Sequence, residues 1–252
     1  MEEIPDRRRR SRGIYLLPNL LTTATLFSGF YAITAAINGR YELAAISIFV
    51  AMVMDGMDGR VARMTNTQSE FGAQYDSLAD MLAFAIAPAL VMYVWSLSAL
   101  GKLGWFAAFV HAAGGALRLA RFNTQIGIAD KRYFQGLASP AAAALIAGFI
   151  WVAIDYEVAP ESVHYWALFI TLLTGLLMVS DVRYHSFKEI DFRGKVPFFV
   201  AIGVMLGFAI IFTHPPVTLF VLFAGYAASG PVLTVRLLRK RHRSNGKDTE
   251  NT

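Results

Sequence analysis

Long apolar runs separated by short polar breaks set the pattern of this chain. Eight such runs lie at roughly 14–37, 41–60, 73–100, 103–122, 138–155, 163–182, 196–213 and 216–238. The breaks read "NGR", "TNTQSE", "GK", "TQIGIADKRYFQG", "DYEVAPES", "RYHSFKEIDFRGK" and "THPP". Most runs approach the about 20 residues that a helix needs to cross a bilayer. In lipid the backbone must satisfy its own donors and acceptors, which makes the helix the natural spanning element. The pattern predicts an all-α integral membrane protein with eight transmembrane helices.

Composition strengthens that reading. Of 252 residues, 56% are hydrophobic and 16% are charged, against about 25% charged in soluble domains. The predicted layout is a basic cytoplasmic segment 1–13, one transmembrane domain 14–238 and a basic, polar cytoplasmic tail 239–252. A basic run before an apolar stretch also describes a secretory signal. The stretch Ile14–Ile37 is 24 residues long and carries Pro18-Asn19 near its start, which fits a spanning helix better. There is no cysteine, so disulfides, thiolate metal sites and cysteine nucleophiles are excluded.

Charge placement bears on topology. With the N-terminus in the cytoplasm, only Arg40 and Lys102 of the 23 Lys and Arg fall in outside loops. The other 21 lie at the termini, in cytoplasmic loops or at cytoplasmic helix ends. The positive-inside rule then predicts eight spans with both termini cytoplasmic. The ends "RRRRSR" and "RLLRKRHR" read as topology anchors. They would also be drawn to anionic membrane lipids, by about 1 kcal/mol per near-surface charge. Nucleic acid is not an expected partner.

One run ends on charges that lipid should exclude. In "MDGMDGRVAR" (54–63), Asp55 and Asp58 are spaced i, i+3, and Gly59, Ala62 and Arg63 continue their helical face. After a polar connection, Gly72, Asp76 and Asp80 are spaced i, i+4, i+8, again one face. Glu70 is expected in the connecting loop. Two helices joined by a short loop are antiparallel neighbours, so the acidic faces can meet. An ionised Asp at a helix centre costs about 2.5–3.5 kcal/mol. Four deep ones would cost on the order of 10 kcal/mol, comparable with the net stability of a domain.

Arg60 and Arg63 offset at most two of those charges, whereas two divalent cations would match all four. Oxygen ligands without nearby His or Cys favour Mg²⁺, Mn²⁺ or Ca²⁺ over Zn²⁺. Gly59 and Gly72 lack side chains where a helix face would otherwise block a ligand. Two such metals held close together stabilise an in-line displacement at phosphorus. The competing reading is an interhelical Asp–Arg network. Intramembrane ionisable groups favour a functional site by default.

The stretch resembles the signature of the CDP-alcohol phosphotransferases, D-x2-D-G-x2-A-R-x8-G-x3-D-x3-D. All eight fixed residues match: Asp55, Asp58, Gly59, Ala62, Arg63, Gly72, Asp76 and Asp80. The resemblance implies a six-helix catalytic core, usually a homodimer, opening to the cytoplasm. It implies two divalent cations, Mg²⁺ or Mn²⁺ with Ca²⁺ as an alternative occupant, held by Asp55, Asp58, Asp76 and Asp80. Asp80 would also be the general base. Gly59 and Arg63 would face the CDP moiety, with Gly72 beside them. In "YLLPNLLTTATLFSGF", similar to the family's first helix, Asn19 and Thr22 would approach the nucleotide.

Further segments narrow the resemblance. "GALRLARFNT" (115–124), "FQGLASPAAA" (134–143) and "LMVSDVRYHSFK" (177–188) are similar to bacterial members that use CDP-diacylglycerol and L-serine and release CMP. This implies a multi-pass enzyme of a bacterial-type cell (inner) membrane. One position departs: Ala138 stands where the pattern has a proline. Arg118 and Arg121, at the cytoplasmic end of the fourth helix, could bind serine's carboxylate or a lipid phosphate, or could be positive-inside anchors. Asn123 could hydrogen-bond serine or cap its helix. Arg183 and Lys188 read as loop charges, and His111 as a structurally satisfied histidine. Rival readings are a sibling enzyme using glycerol phosphate, inositol phosphate or choline, and an ion-coupled transporter with midplane carboxylates. No repeated halves are visible, which argues against the transporter.

Overall fold

The computed structural model describes residues 16–65, 67, 69–124, 133–185 and 198–248. The basic segment 1–13 and Lys188 lie outside the described residues. The helices are α1 (Leu16–Ile37), α2 (Tyr41–Thr65), α3 (Glu70–Asp80), α4 (Ala87–Trp95), α5 (Lys102–Thr124), α6 (Ser139–Asp155), α7 (Pro160–Val179), α8 (Phe198–Thr213) and α9 (Pro215–Asp248). A π-helical turn, Met81–Ile86, joins α3 to α4 into one rod.

The architecture is that of an all-α, multi-pass membrane protein. Among the described residues, five helices are long and apolar enough to cross: Leu17–Ile37, Glu70–Trp95, Lys102–Thr124, Pro160–Val179 and Pro215–Thr234. The remaining three predicted spans also fold as helices, but α6 has 17 residues, α8 has 16, and α2 carries Asp55, Asp58, Arg60 and Arg63 in its second half.

Several boundaries differ from expectation. α2 runs past residue 60 to Thr65, so the acidic motif sits inside a helix. α3 begins at Glu70, capped by Ser69, whose Oγ accepts from Gly72 N at 3.0 Å. Glu70 therefore belongs to a first helical turn, where a carboxylate suits the helix dipole, and not to the loop. The third apolar run does not continue to residue 100 as one helix; it ends at Trp95 and a 3₁₀ turn follows at Leu97–Leu100. α9 continues through Asp248, beyond the predicted tail boundary.

A two-stranded antiparallel ribbon was not expected: β1 (Tyr133–Gln135) pairs with β2 (Arg183–His185). Strands of three residues carry too little alternation to be read from pattern. Ala138, the departure noted above, has φ −62°, the angle a proline ring imposes, so the chain enters α6 as a proline would take it.

The π turn has a cause in sequence. Pro88 lies in the first turn of α4. It has no N–H for the carbonyl of Phe84, four residues earlier, and its ring crowds that carbonyl. An inserted residue relieves the crowding by widening the turn.

α1 packs along α2, α5 along α7, and α6 against both α2 and α9. The seam between them is rich in alanine: Ala32, Ala44, Ala45, Ala83, Ala87, Ala143 and Ala147 are fully buried. In lipid, helices associate through close van der Waals contact, which small side chains permit. Large apolar groups face outward instead, among them Phe27, Trp105, Phe109, Trp166 and Phe169.

Candidate active site

The acidic residues arrive from two helices that both pack against α1. Asp55, Asp76 and Asp80 each offer a carboxylate oxygen, and these oxygens lie within 4.8 Å of one another. Asp58, one turn beyond Asp55 and 5% exposed, turns toward α1. There Thr22 Oγ1 sits 2.9 Å from Asp58 Oδ2 and 3.1 Å from the Pro18 carbonyl, and donates to one or the other. The four predicted ligands thus form a tight trio and one flanking member.

The flanking member opens onto a cavity of about 260 Å³. Pro18, Asn19 and Thr22 of α1, Asp58, Gly59, Ala62 and Arg63 of α2, Thr67 and Ser69 of the connection, and Gly72, Ala73 and Asp76 of α3 line it. Asp76 belongs to both the trio and the cavity wall, so a ligand in the cavity would lie against the carboxylates. A Cβ at Gly72 would stand 3.1 Å from Ser69 Oγ and 3.6 Å from Asn19 Oδ1, tightening that wall. The predicted cavity residues Asn19, Thr22, Gly59, Arg63 and Gly72 are all brought together.

The trio fits a hard cation. No Lys or Arg forms an ion pair with these aspartates among the described residues; the ion pair seen there is Arg121–Asp181. Asp80 Oδ1 is buried without a hydrogen-bond partner among the described residues. Converging like charges repel strongly at such spacing, and an oxygen-only donor set suits Mg²⁺, Mn²⁺ or Ca²⁺.

The family model of the CDP-alcohol phosphatidyltransferases matches residues 15–177. The chain belongs to this family. The match covers the whole acidic motif and ends before β2, α8 and α9. The chain is 33% identical to the CDP-diacylglycerol–serine O-phosphatidyltransferase of Helicobacter pylori (strain ATCC 700392 / 26695), across 92% of this chain and 98% of that one. It is 34% identical to the enzyme of the same name from Methanocaldococcus jannaschii, across 71% and 78%. To the archaetidylserine synthase of Methanothermobacter thermautotrophicus it is 32% identical, across 67% and 69%. CDP-alcohol phosphatidyltransferases depend on divalent metal, in keeping with the carboxylate trio.

The basic end of α5 is less uniform than its sequence suggests. Arg118 Nη1 donates to Ser139 Oγ at 2.8 Å, its Nε is buried without a partner among the described residues, and the charge of Asp80 acts on it. Arg121 turns the other way: its Nη2 lies 2.6 Å from Asp181 Oδ1 in an exposed ion pair. Asn123 Nδ2 donates to Ser77 Oγ at 3.1 Å, tying α5 to the acid-bearing helix instead of capping its own. His111 is satisfied at one nitrogen, with Nδ1 2.9 Å from Thr174 Oγ1.

Sequence reasoning passed over Thr67, Ser69, Pro18 and Tyr75. Ser69 was detectable as a capping serine ahead of Glu70. Tyr75, whose hydroxyl meets Thr23 Oγ1 at 3.0 Å, gave no signal, because its partner comes from another helix.

Proposed function

We propose that the protein makes phosphatidylserine, transferring the phosphatidyl group of CDP-diacylglycerol to the hydroxyl of L-serine and releasing CMP. The observation that carries this reading is the trio Asp55, Asp76 and Asp80 lying against a cavity that Asp58 and Asp76 help to wall. The names of the relatives support serine as the acceptor.

Asp55, Asp58, Asp76 and Asp80 would hold two divalent cations, Mg²⁺ or Mn²⁺, supplying positive charge to the pyrophosphate and the departing CMP. Asn19, Thr22, Gly59 and Gly72 shape the pocket for the CDP moiety, and Arg63 offers it a guanidinium. The acyl chains remain in lipid. Arg118 receives the serine carboxylate beside Asp80. Asp80 takes the proton from the serine hydroxyl. That oxygen bonds to the lipid-side phosphorus as the bond to CMP breaks. The displacement is direct, so a chiral phosphorus is inverted; retention would overturn this step. Arg121 and Asn123, already engaged by Asp181 and Ser77, serve to hold α5 in place.

The active site and both termini face the cytoplasm of a bacterial-type cell membrane, and the working unit is a homodimer. The test is CMP release by purified protein from CDP-diacylglycerol with serine, glycerol phosphate, inositol phosphate or choline, with and without chelator. Turnover with serine alone is expected, abolished by chelator and restored by Mg²⁺ or Mn²⁺. Turnover with another alcohol while serine is inert would overturn the acceptor. Turnover unaffected by chelator would overturn the metal.

A further inference from the structure

We infer that Tyr184 is a positioning residue for Arg118, acting through the β1–β2 ribbon and Ser139 from a socket in α9. The inference rests on the reading of Arg118 as the group that receives the serine carboxylate. Arg118 Nη1 donates to Ser139 Oγ at 2.8 Å. Ser139 is fully buried and opens α6, and Ala138 before it offers no side-chain cap. The chain leading into α6 therefore sets where Ser139 stands. Backbone bonds pin that chain to the end of α7 and the residues after it. Gly136 N donates to Val182 O and Leu137 N donates to Leu177 O, both at 2.9 Å. Gly136 has φ +79°, and a Cβ there would collide with the Met178 carbonyl oxygen, so glycine lets the two segments close.

One side chain seats the ribbon on α9. Tyr184, the middle residue of β2, is fully buried. Its hydroxyl donates to the Ala227 carbonyl at 3.1 Å, and its ring lies 5.4 Å from that of Tyr226. The socket is written into α9 as Gly230-Pro231. Pro231, inside the helix, has no N–H for the Ala227 carbonyl four residues earlier. Tyr184 supplies the donor that this proline lacks. Gly230 leaves room for the ring, which a Cβ there would strike. Leu137, Met178, Tyr184 and Ala227 share one buried cluster with the start of α6, apart from the alanine-rich seam. The acceptor end of the site thus has a small core of its own. Tyr184 and its socket lie beyond residue 177, where the family match ends. The path from Tyr184 leads to Ser139 and Arg118, whereas the aspartates stand on α2 and α3, so serine binding is the quantity it should move.

The test uses Tyr184→Phe, which keeps the ring and removes the donor, and Gly230→Ala, which crowds the ring. Three quantities are read on protein purified in detergent: KM for serine, KM for CDP-diacylglycerol, and the Mn²⁺ midpoint for thermal stabilisation. In both variants KM for serine rises about three- to tenfold, the effect of one ordinary hydrogen bond. KM for CDP-diacylglycerol and the Mn²⁺ midpoint stay within about twofold. Added to Arg118→Ala, Tyr184→Phe lowers kcat/KM for serine by less than about twofold more, because residues that act through one another are not additive. Folded variants with unchanged KM for serine would overturn the inference, whatever their thermal stability. An equal rise in both KM values would overturn it, as would a full further loss on top of Arg118→Ala. If Gly230→Ala does not fold, Tyr184→Phe decides by the same criteria. Arg118→Ala alone separates the two levels. An unchanged KM for serine there would overturn the reading of Arg118 and the inference with it. A raised KM there, with Tyr184→Phe unaffected, would overturn the inference alone.

Discussion

The acidic ends of α2 and α3 and the basic end of α5 both place charge inside an apolar bundle, and they handle it differently. At the acidic end four carboxylates gather, and among the described residues none has an ion-paired base and Asp80 Oδ1 has no hydrogen-bond partner. At the basic end the two arginines part company. Arg121 is closed off by Asp181 at the surface, while Arg118 donates to Ser139 and keeps a buried Nε without a partner among the described residues, within the electrostatic reach of Asp80. The difference separates framework from site. A charge whose bonds are completed by the protein holds helices together, whereas charges with bonding capacity left over, side by side, are where a ligand gains most.

The comparison is broken most severely at Asp80. Asp80→Asn removes one charge of the trio and the proposed proton acceptor together. CMP release should fall on the order of 10²–10⁴-fold in kcat, the range for losing a general base. A fall of less than about tenfold would return Asp80 to the framework. Arg118→Ala comes next. A charge-assisted hydrogen bond is worth about 1.5–3 kcal/mol, so KM for serine should rise roughly 10- to 100-fold while KM for CDP-diacylglycerol changes little. An equal rise for both substrates would show that Arg118 supports the fold and not the acceptor.

These two sites were not equally legible in the sequence. The aspartates announce themselves because a charge in an apolar run is costly, and because spacings of three and four place them on one helical face whatever the tertiary structure. The helices were legible for a different reason, the length of the apolar runs, because lipid leaves the helix as the natural spanning element. What escaped was set by contacts between distant segments. Nothing local distinguishes Arg118 from Arg121; Ser139 at the start of α6 and Asp181 after α7 do that. The ribbon between β1 and β2 is equally non-local. The π turn is a different case. Its cause, Pro88, is plain in "AIAPAL", but counting hydrophobic residues treats a proline in an apolar run as one more apolar position, and so the widened turn next to Asp80 went unread.

A smaller effect sharpens the acidic side. Thr22→Val keeps shape while removing the hydroxyl beside Asp58. An ordinary hydrogen bond contributes about 0.5–1.5 kcal/mol net. KM for CDP-diacylglycerol and the Mn²⁺ midpoint should therefore shift a few-fold, with kcat nearly constant. A large fall in kcat instead would mean that Asp58 sits closer to the reacting phosphorus than its place at the edge of the trio implies.

The smallest effect belongs to Arg121 and Asp181, and it is the control for the whole contrast. Their contact is short, 2.6 Å, but the side chains are 36% and 79% exposed. Solvent and salt screen such a pair, and exposed ion pairs contribute about 0–1 kcal/mol. A double-mutant cycle of Arg121→Ala and Asp181→Ala, read by thermal unfolding in detergent, should give a coupling below about 1 kcal/mol. Raising the salt concentration should weaken it further. Neither variant should change KM for serine beyond about twofold. The outcome that would undo the contrast is specific: Arg121→Ala raising KM for serine as much as Arg118→Ala does, with Asp181→Ala leaving it unchanged. Asp181 would then be a resting partner that the acceptor displaces, and both arginines would belong to the site.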